Sequence, residues 1–135
     1  MVGAGALGCE YVKAFALMGV GCSAEGGVCV TDNDNIEVSN LNRQFLFRKS
    51  NIGSSKSQVA CSIAREINPS LNITDYKLFV SPETESIFNC KFWESLDFVV
   101  NAVDNIKARL YVDSQCVWYE KPLLESGTLG TKANS

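Results

Sequence analysis

Histidine is missing from all 135 residues. Its absence removes imidazole general-base chemistry and His-ligated metals from this segment, and with them most hydrolase triads and zinc enzymes. Proline is scarce, at three residues, and no apolar run approaches the ~18 residues of a membrane-spanning helix. The first 22 residues are apolar enough to resemble a signal peptide, but a basic leader is lacking and Glu10 and Lys13 interrupt them. Blocks of like charge are lacking too, and 12 Lys+Arg against 15 Asp+Glu leave a net charge of −3. That balance argues against a basic footprint for nucleic acid or an anionic membrane, so neither is expected as a partner. The six cysteines, at 9, 22, 29, 61, 90 and 116, include no C-x-x-C pair. Several stand in apolar stretches where a thiol acts as a small hydrophobe, and reduced thiols in a cytoplasmic or nuclear protein are expected.

What is present reads as alternating helices and strands. A glycine-rich opening runs into Cys9–Met18, where Tyr11, Val12, Phe15, Ala16 and Met18 recur at helical spacing before Gly19 and Gly21. Val28–Thr31 reads as a buried strand stopped at Asp32. From Ser54 a second helix puts Val59, Ile63 and Ile67 on one stripe and stops at Asn68-Pro69. Leu71–Phe79, Phe98–Ala102 and Pro122–Ser126 read as strands, with a helix over Lys107–Tyr119 between the last two. The Asn72-Ile73-Thr74 sequon reads as a surface turn. This order predicts a doubly wound, Rossmann-like α/β domain with a mainly parallel sheet and flanking helices, residues 1–135 forming a single nucleotide-binding unit. Only Met1 and Val2 precede Gly3, so the first strand is expected to be truncated, with its remainder upstream.

Gly3-Ala4-Gly5-Ala6-Leu7-Gly8 is a G-x-G-x-x-G at a strand-to-helix junction. Such glycines allow a tight turn, close approach of a nucleotide to backbone N–H groups, and close packing of helix on sheet. Asp32, at the tip of the second strand, stands where a carboxylate reaches a ribose hydroxyl pair. To this point an NAD-dependent dehydrogenase explains the pattern equally well. The run Ser39-Asn40-Leu41-Asn42-Arg43-Gln44-Phe45-Leu46-Phe47, followed by Lys56 at a helix start, separates the readings. A triphosphate calls for an Arg, whose planar fork matches phosphate oxygens, and a Lys acting as a point charge. Asp104, at the carboxyl end of the Phe98–Ala102 strand, can hold Mg²⁺, and Asp104-Asn105 can also cap the following helix.

Together Gly3 to Gly8, Asp32, Asn40-Leu41-Asn42-Arg43-Gln44-Phe45, Lys56 and Asp104-Asn105 resemble the ThiF/MoeB-type adenylation fold, which ubiquitin-activating enzymes share. The resemblance covers essentially the whole chain. Three details point to the ubiquitin-activating branch: Gly21-Cys22 with Glu25-Gly26-Gly27, the continuation of the Arg43 run to Arg48, and Leu123 to Lys132. The resemblance implies ATP- and Mg²⁺-dependent adenylation of a modifier's C-terminal glycine, followed by thioester formation on a cysteine in a domain expected downstream and not present here. It implies that Gly3, Gly5, Ala6, Gly8 and Asp32 contact the nucleotide, Arg43 and Lys56 bind phosphates, Asp104 holds the metal, and Asn105 lines the site. Asn40 and Gln44 are further polar contacts. As catalytic residues it nominates Arg43, Lys56 and Asp104. The partners it implies are ubiquitin or a ubiquitin-like modifier, a ubiquitin-conjugating enzyme recruited by domains not present, and an adenylation-like partner half. None of the six cysteines matches the thioester cysteine; Cys22 and Cys90 are the ones expected to be accessible.

Three alternatives remain at this level. One is an activating enzyme for another ubiquitin-like modifier. A second is an NAD-dependent oxidoreductase domain, which would leave Arg43, Lys56 and Asp104 idle. The third is a non-catalytic pairing module, a type that loses the phosphate-binding Arg or the metal-binding Asp, whereas this sequence has both.

Overall fold

A computed structural model of the chain describes residues 1–129 and 132–134. The Gly130-Thr131 part of the Leu123 to Lys132 run lies outside the described residues.

Helix α1 (Ala6–Met18) begins inside the glycine loop, earlier than its apolar spacing suggests. It buries Gly8, Cys9, Val12, Phe15 and Ala16 while Met18 is left exposed, and Gly19, at φ 74°, ends it by donating its N–H to the Phe15 carbonyl. Strand β1 (Val28–Thr31) follows. Helix α2 (Lys56–Ile67) starts at the Ser55 cap, but its buried face is Lys56, Ser57, Ala60, Cys61 and Ala64. The expected stripe is thus rotated: Val59 and Ile63 flank the core and Ile67 is exposed. Small residues let α2 lie close to its neighbours, which large apolar side chains would prevent.

Strand β2 (Ile73–Tyr76) is shorter than Leu71–Phe79 and contains two of the three sequon residues, while Asn72 donates from Nδ2 to the Gly26 carbonyl at 3.0 Å. The sequon is therefore a strand entrance, not a turn. Helix α3 (Cys90–Glu94), a single turn capped by Asn89, has too few residues to show a period. Strand β3 (Val99–Asn101), helix α4 (Ile106–Trp118) and strand β4 (Leu123–Glu125) come close to their expected limits. Backbone strands β5 (Gly127–Leu129) and β6 (Lys132–Asn134) form an antiparallel pair.

β1 pairs in parallel with β2, Val28 opposite Ile73 and Thr31 opposite Tyr76. β3 pairs in parallel with β4, Val99 opposite Leu123 and Asn101 opposite Glu125. Val2 joins the two pairs by parallel bridges to Thr31 and Asn101. The bonds are Val2 N–H to Val100 O and Ala102 N–H to Val2 O, both 2.8 Å, Gly3 N–H to Thr31 O at 2.8 Å, and Thr31 N–H to Met1 O at 3.0 Å. The spatial order is β2, β1, Val2, β3, β4, all parallel. One apolar core gathers α1, β1, α2 and β2; a second gathers Val80, Phe88, Trp93, Val99, Val112 and Cys116. The direction of winding changes at Val2, and in such sheets the crevice beyond the carboxyl ends at this point is where ligands sit.

Candidate functional site

A cleft of about 620 Å³ opens at that switch point. The glycine loop forms its floor. Gly3 has φ +95°, and a Cβ there would stand 2.7 Å from the Ala102 carbonyl oxygen, so only glycine lets the loop lie against the end of β3. Gly5 caps α1 with no side-chain bond to the first-turn amides, and a Cβ there would meet only Gln44 Nε2, at 3.9 Å. The first amides of α1 are left unsatisfied at the cleft, where Gly5, Ala6 and Leu7 line it. Free amides and the positive end of the helix dipole make an anion site. Gly8 does not line the cleft. It is buried one turn into α1, where a Cβ would fall on the Gly3 carbonyl oxygen, so its part in the loop is packing.

Asp32 lies just beyond β1 and is braced by backbone: Oδ2 accepts from Ala4 N–H at 2.7 Å and Oδ1 from Asp34 N–H at 2.8 Å. Burial raises its carboxyl above the ordinary 3.8, against the pull of those two N–H bonds and of the Lys56 charge.

Two cations enter from the same side. The segment carrying Arg43 is turned by Asn40, which is buried, accepts from Glu37 N–H on Oδ1 at 2.9 Å and takes Gln44 N–H on its carbonyl at 2.9 Å. Leu46 and Phe47 sink into the first core, and the Lys13 ammonium sits 4.8 Å from the centre of the Phe45 ring. Arg43 itself is exposed and among the described residues is held by neutral acceptors, with Nη1 donating to Ser39 O at 2.9 Å and Asn42 Oδ1 at 3.2 Å. Lys56, the first residue of α2, is buried and pairs with Asp34 Oδ2 at 2.8 Å. Gln44 is buried beside Gly5, and among the described residues its Oε1 has no hydrogen-bond partner.

The opposite bank carries Asp104, exposed at the rim, and Asn105, whose Oδ1 accepts from Ala108 N–H at 2.8 Å and so caps α4. Both line the cleft, as do Asp32, Asn40, Arg43 and Lys56. Gly8 apart, the expected site residues all meet there. Among the described residues no three Cys, Asp or Glu side chains cluster for a metal. A divalent ion here would take Asp104 and complete its shell from water and ligand oxygens, as Mg²⁺ does beside phosphates.

Three contributors escaped the sequence: Asp34, which holds Lys56, and the pair Arg109 and Glu125, 2.6 Å apart between Nη2 and Oε1 though not aligned as a hydrogen bond. Asp34 stands near Asp32 in sequence but 22 positions from the Lys56 it holds, and Arg109 and Glu125 belong to separate elements, so neither pairing gave a local signal. A smaller cavity, about 150 Å³, lies among Phe15, Val28, Trp93 and Phe98, and among the described residues no Lys or Arg lines it.

Fold and cleft define a doubly wound parallel α/β domain whose switch-point crevice is suited to a phosphate-bearing ligand. The sequence model of the ThiF family matches residues 1–135, and the chain belongs to that family. It is 62% identical over 135 residues to ubiquitin-like modifier-activating enzyme 1 of Dictyostelium discoideum, all of this chain and 13% of that protein. It is 60% identical over 135 residues to ubiquitin-activating enzyme E1 2 of Triticum aestivum, again all of this chain and 13% of that protein. The chain thus spans about an eighth of the length of these relatives. Among solved structures it resembles TcdA (CsdL), with TM-score 0.78, 27% identity, and coverage of 90% of this chain and 45% of that one. It also resembles E. coli tRNA N6-threonylcarbamoyladenosine dehydratase, TcdA, in complex with ATP, with TM-score 0.76, 27% identity, and coverage of 90% and 47%.

Proposed function

We propose that these 135 residues are the nucleotide-binding core of the adenylating domain of a ubiquitin-activating enzyme. The enzyme uses Mg·ATP to turn the C-terminal glycine carboxylate of ubiquitin into an acyl-adenylate and pyrophosphate, before a cysteine outside this chain takes the acyl group. The carrying observation is the convergence of an uncapped helix N-terminus, two cations and a rim acid on one cleft. The identity to enzymes named for activating ubiquitin and the ATP-bound TcdA neighbour support it.

Bound Mg·ATP supplies an electrophilic α-phosphorus and a pyrophosphate leaving group. The nucleophilic carboxylate is already ionised at neutral pH, so no general base is needed and a chain without histidine suffices. Attack of one anion on another is slowed by repulsion, and the task of the protein is to offset that charge and fix an in-line approach. The first-turn amides of α1, Arg43 and Lys56 meet phosphate oxygens. Asp34 keeps the Lys56 ammonium at the cleft. Asp32, locked by its two N–H bonds, presents its remaining acceptor capacity to the ribose hydroxyls. Asp104 holds Mg²⁺. The unpartnered amide oxygen of Gln44 finds its donor in the ligand, while Asn40 acts through the turn that it stabilises and Asn105 through the α4 cap.

The other partners belong to the same proposal: a ubiquitin-conjugating enzyme, reached through other domains, and an adenylation-like partner half. Residence in the cytoplasm and nucleus, where six free thiols stay reduced, belongs to it as well.

ATP–pyrophosphate exchange by the full-length enzyme tests the reading. Arg43→Ala and Asp104→Ala are each expected to lower ubiquitin-dependent exchange by about 100-fold or more, and Lys56→Ala by roughly 10- to 100-fold. Wild-type exchange in the Arg43 and Asp104 variants would refute these roles. Exchange driven by a different ubiquitin-like protein, and not by ubiquitin, would move the chain to another activating enzyme.

A further inference from the structure

We propose that Arg109, through its pair with Glu125, is a positioning residue that holds Asp104 at the cleft; the inference rests on Asp104 being the magnesium-holding acid. The buried residues of α4 are Val112 and Cys116, in its middle and far end, whereas Ile106 and Lys107 in its first turn are exposed. Asp104 and Asn105, just ahead of that turn, are exposed as well. Within α4 the buried apolar residues therefore lie away from the first turn; ahead of it Val103 is only partly buried against the second core, and helix ends with little grip fray.

The tie at that end is electrostatic. Glu125 is the last residue of β4, in register with Asn101 of β3. Asn101, fully buried, donates from Nδ2 to Glu125 Oε2 at 2.7 Å, which fixes the carboxylate to the sheet. Glu125 Oε1 in turn faces Arg109 Nη2 at 2.6 Å. The guanidinium rests on Gly127, where a Cβ would stand 2.7 Å from Nη1 and 3.1 Å from Cζ, so the absence of a side chain there leaves the space that Arg109 fills. From Arg109 the contacts run back toward the acid: its N–H bonds the Asn105 carbonyl at 3.2 Å, and Asn105 Oδ1 takes Ala108 N–H at 2.8 Å. Both partners of the ion pair are 32% exposed, which leaves it partly shielded from solvent and salt. An apolar clamp here would line the cleft with groups that disfavour an anion; Arg109 lines it too and adds positive charge.

Full-length enzyme carrying Arg109→Ala, Arg109→Lys, Glu125→Gln or the Ala/Gln double change tests this. In protein free of metal and nucleotide, amide hydrogen exchange at Ala108 and Arg109 is expected to accelerate about two- to five-fold in Arg109→Ala and Glu125→Gln, with Val112–Cys116 unchanged. In ATP–pyrophosphate exchange the half-saturating Mg²⁺ concentration should rise by a similar factor. The double variant should be no worse than either single, and Arg109→Lys should recover part of the effect. Glu125→Gln keeps the side-chain shape, so a wild-type value of either readout in that variant overturns the proposal even where Arg109→Ala does not fold. Acceleration spread evenly over all of α4 overturns it too, as a general loss of stability. Asp104→Ala separates the two readings. If it leaves the Mg²⁺ dependence unchanged, the role of Asp104 is wrong; if it alone alters that dependence, the Arg109–Glu125 tie is wrong.

Discussion

Cys9, Cys61 and Cys116 are buried, and desolvation pushes their thiols up to about 11, 12 and 11, respectively. Burial raises Cys29 as well. The thiolate that attacks an electrophile is scarce at such positions near neutral pH. Cys90 is exposed, as expected, whereas Cys22 is half-buried, as Cys29 is. Iodoacetamide at pH 8, read by peptide mass spectrometry, should label Cys90 first and leave Cys9, Cys61 and Cys116 unmodified until denaturant is added. Early labelling of Cys61 would show that the first core opens in the native state. At this scale the sequence was informative about residue type and poor about pairing. Asp32 and Arg43 stand out because their motifs are contiguous. The hold of Asp34 on Lys56 joins residues 22 positions apart, and no local pattern reveals it.

The glycine loop shows how an element can be legible in outline and misread in detail. Three glycines announce a turn into a helix, yet they do different work: Gly3 fits beneath Ala102, Gly5 leaves amides free, and Gly8 lets α1 pass its own loop. Gly8→Ala should therefore destabilise the fold by about 2–3 kcal/mol, because its methyl group meets backbone, which cannot rotate away. Thermal unfolding would show it as a midpoint lower by several degrees, whereas Gly5→Ala, whose methyl group would make only an ordinary van der Waals contact with Gln44 Nε2 at 3.9 Å, should leave the midpoint close to wild type. The end of α2 was readable from Asn68-Pro69 and its start to within a residue, Ser54 expected against the Ser55 cap found, but its buried face was not. Period analysis weights the large Val59, Ile63 and Ile67, while close packing against α1 and β1 selects Ser57, Ala60 and Ala64. α3 escaped for a simpler reason: five residues complete little more than one turn.

At the scale of the whole molecule, alternation of strand and helix was enough to foresee a parallel sheet, and the position of the cleft followed from where the winding reverses. What alternation does not show is how the two halves are joined. The Asp32, Arg43 and Lys56 bank stands on the first core, the Asp104 and Arg109 bank on the second. Between them run the backbone bonds of Met1 to Gly3, an edge-on contact of Phe15 with Phe98 at 6.5 Å, and the Tyr11–Ser126 hydroxyl bond at 2.9 Å. Native-state hydrogen exchange resolved by residue should find the amides of Gly3, Thr31 and Ala102 opening before those of Val30 or Val112, which sit deep in the two cores. Equal protection would mean that the halves unfold as one unit.

The width of the cleft is accordingly fixed at one seam: the parallel bridges of Val2 to Thr31 and Asn101 hold the side that carries Asp32 against the side that carries Asp104, and Val100 of β3, sunk into the first core, fastens that seam from within.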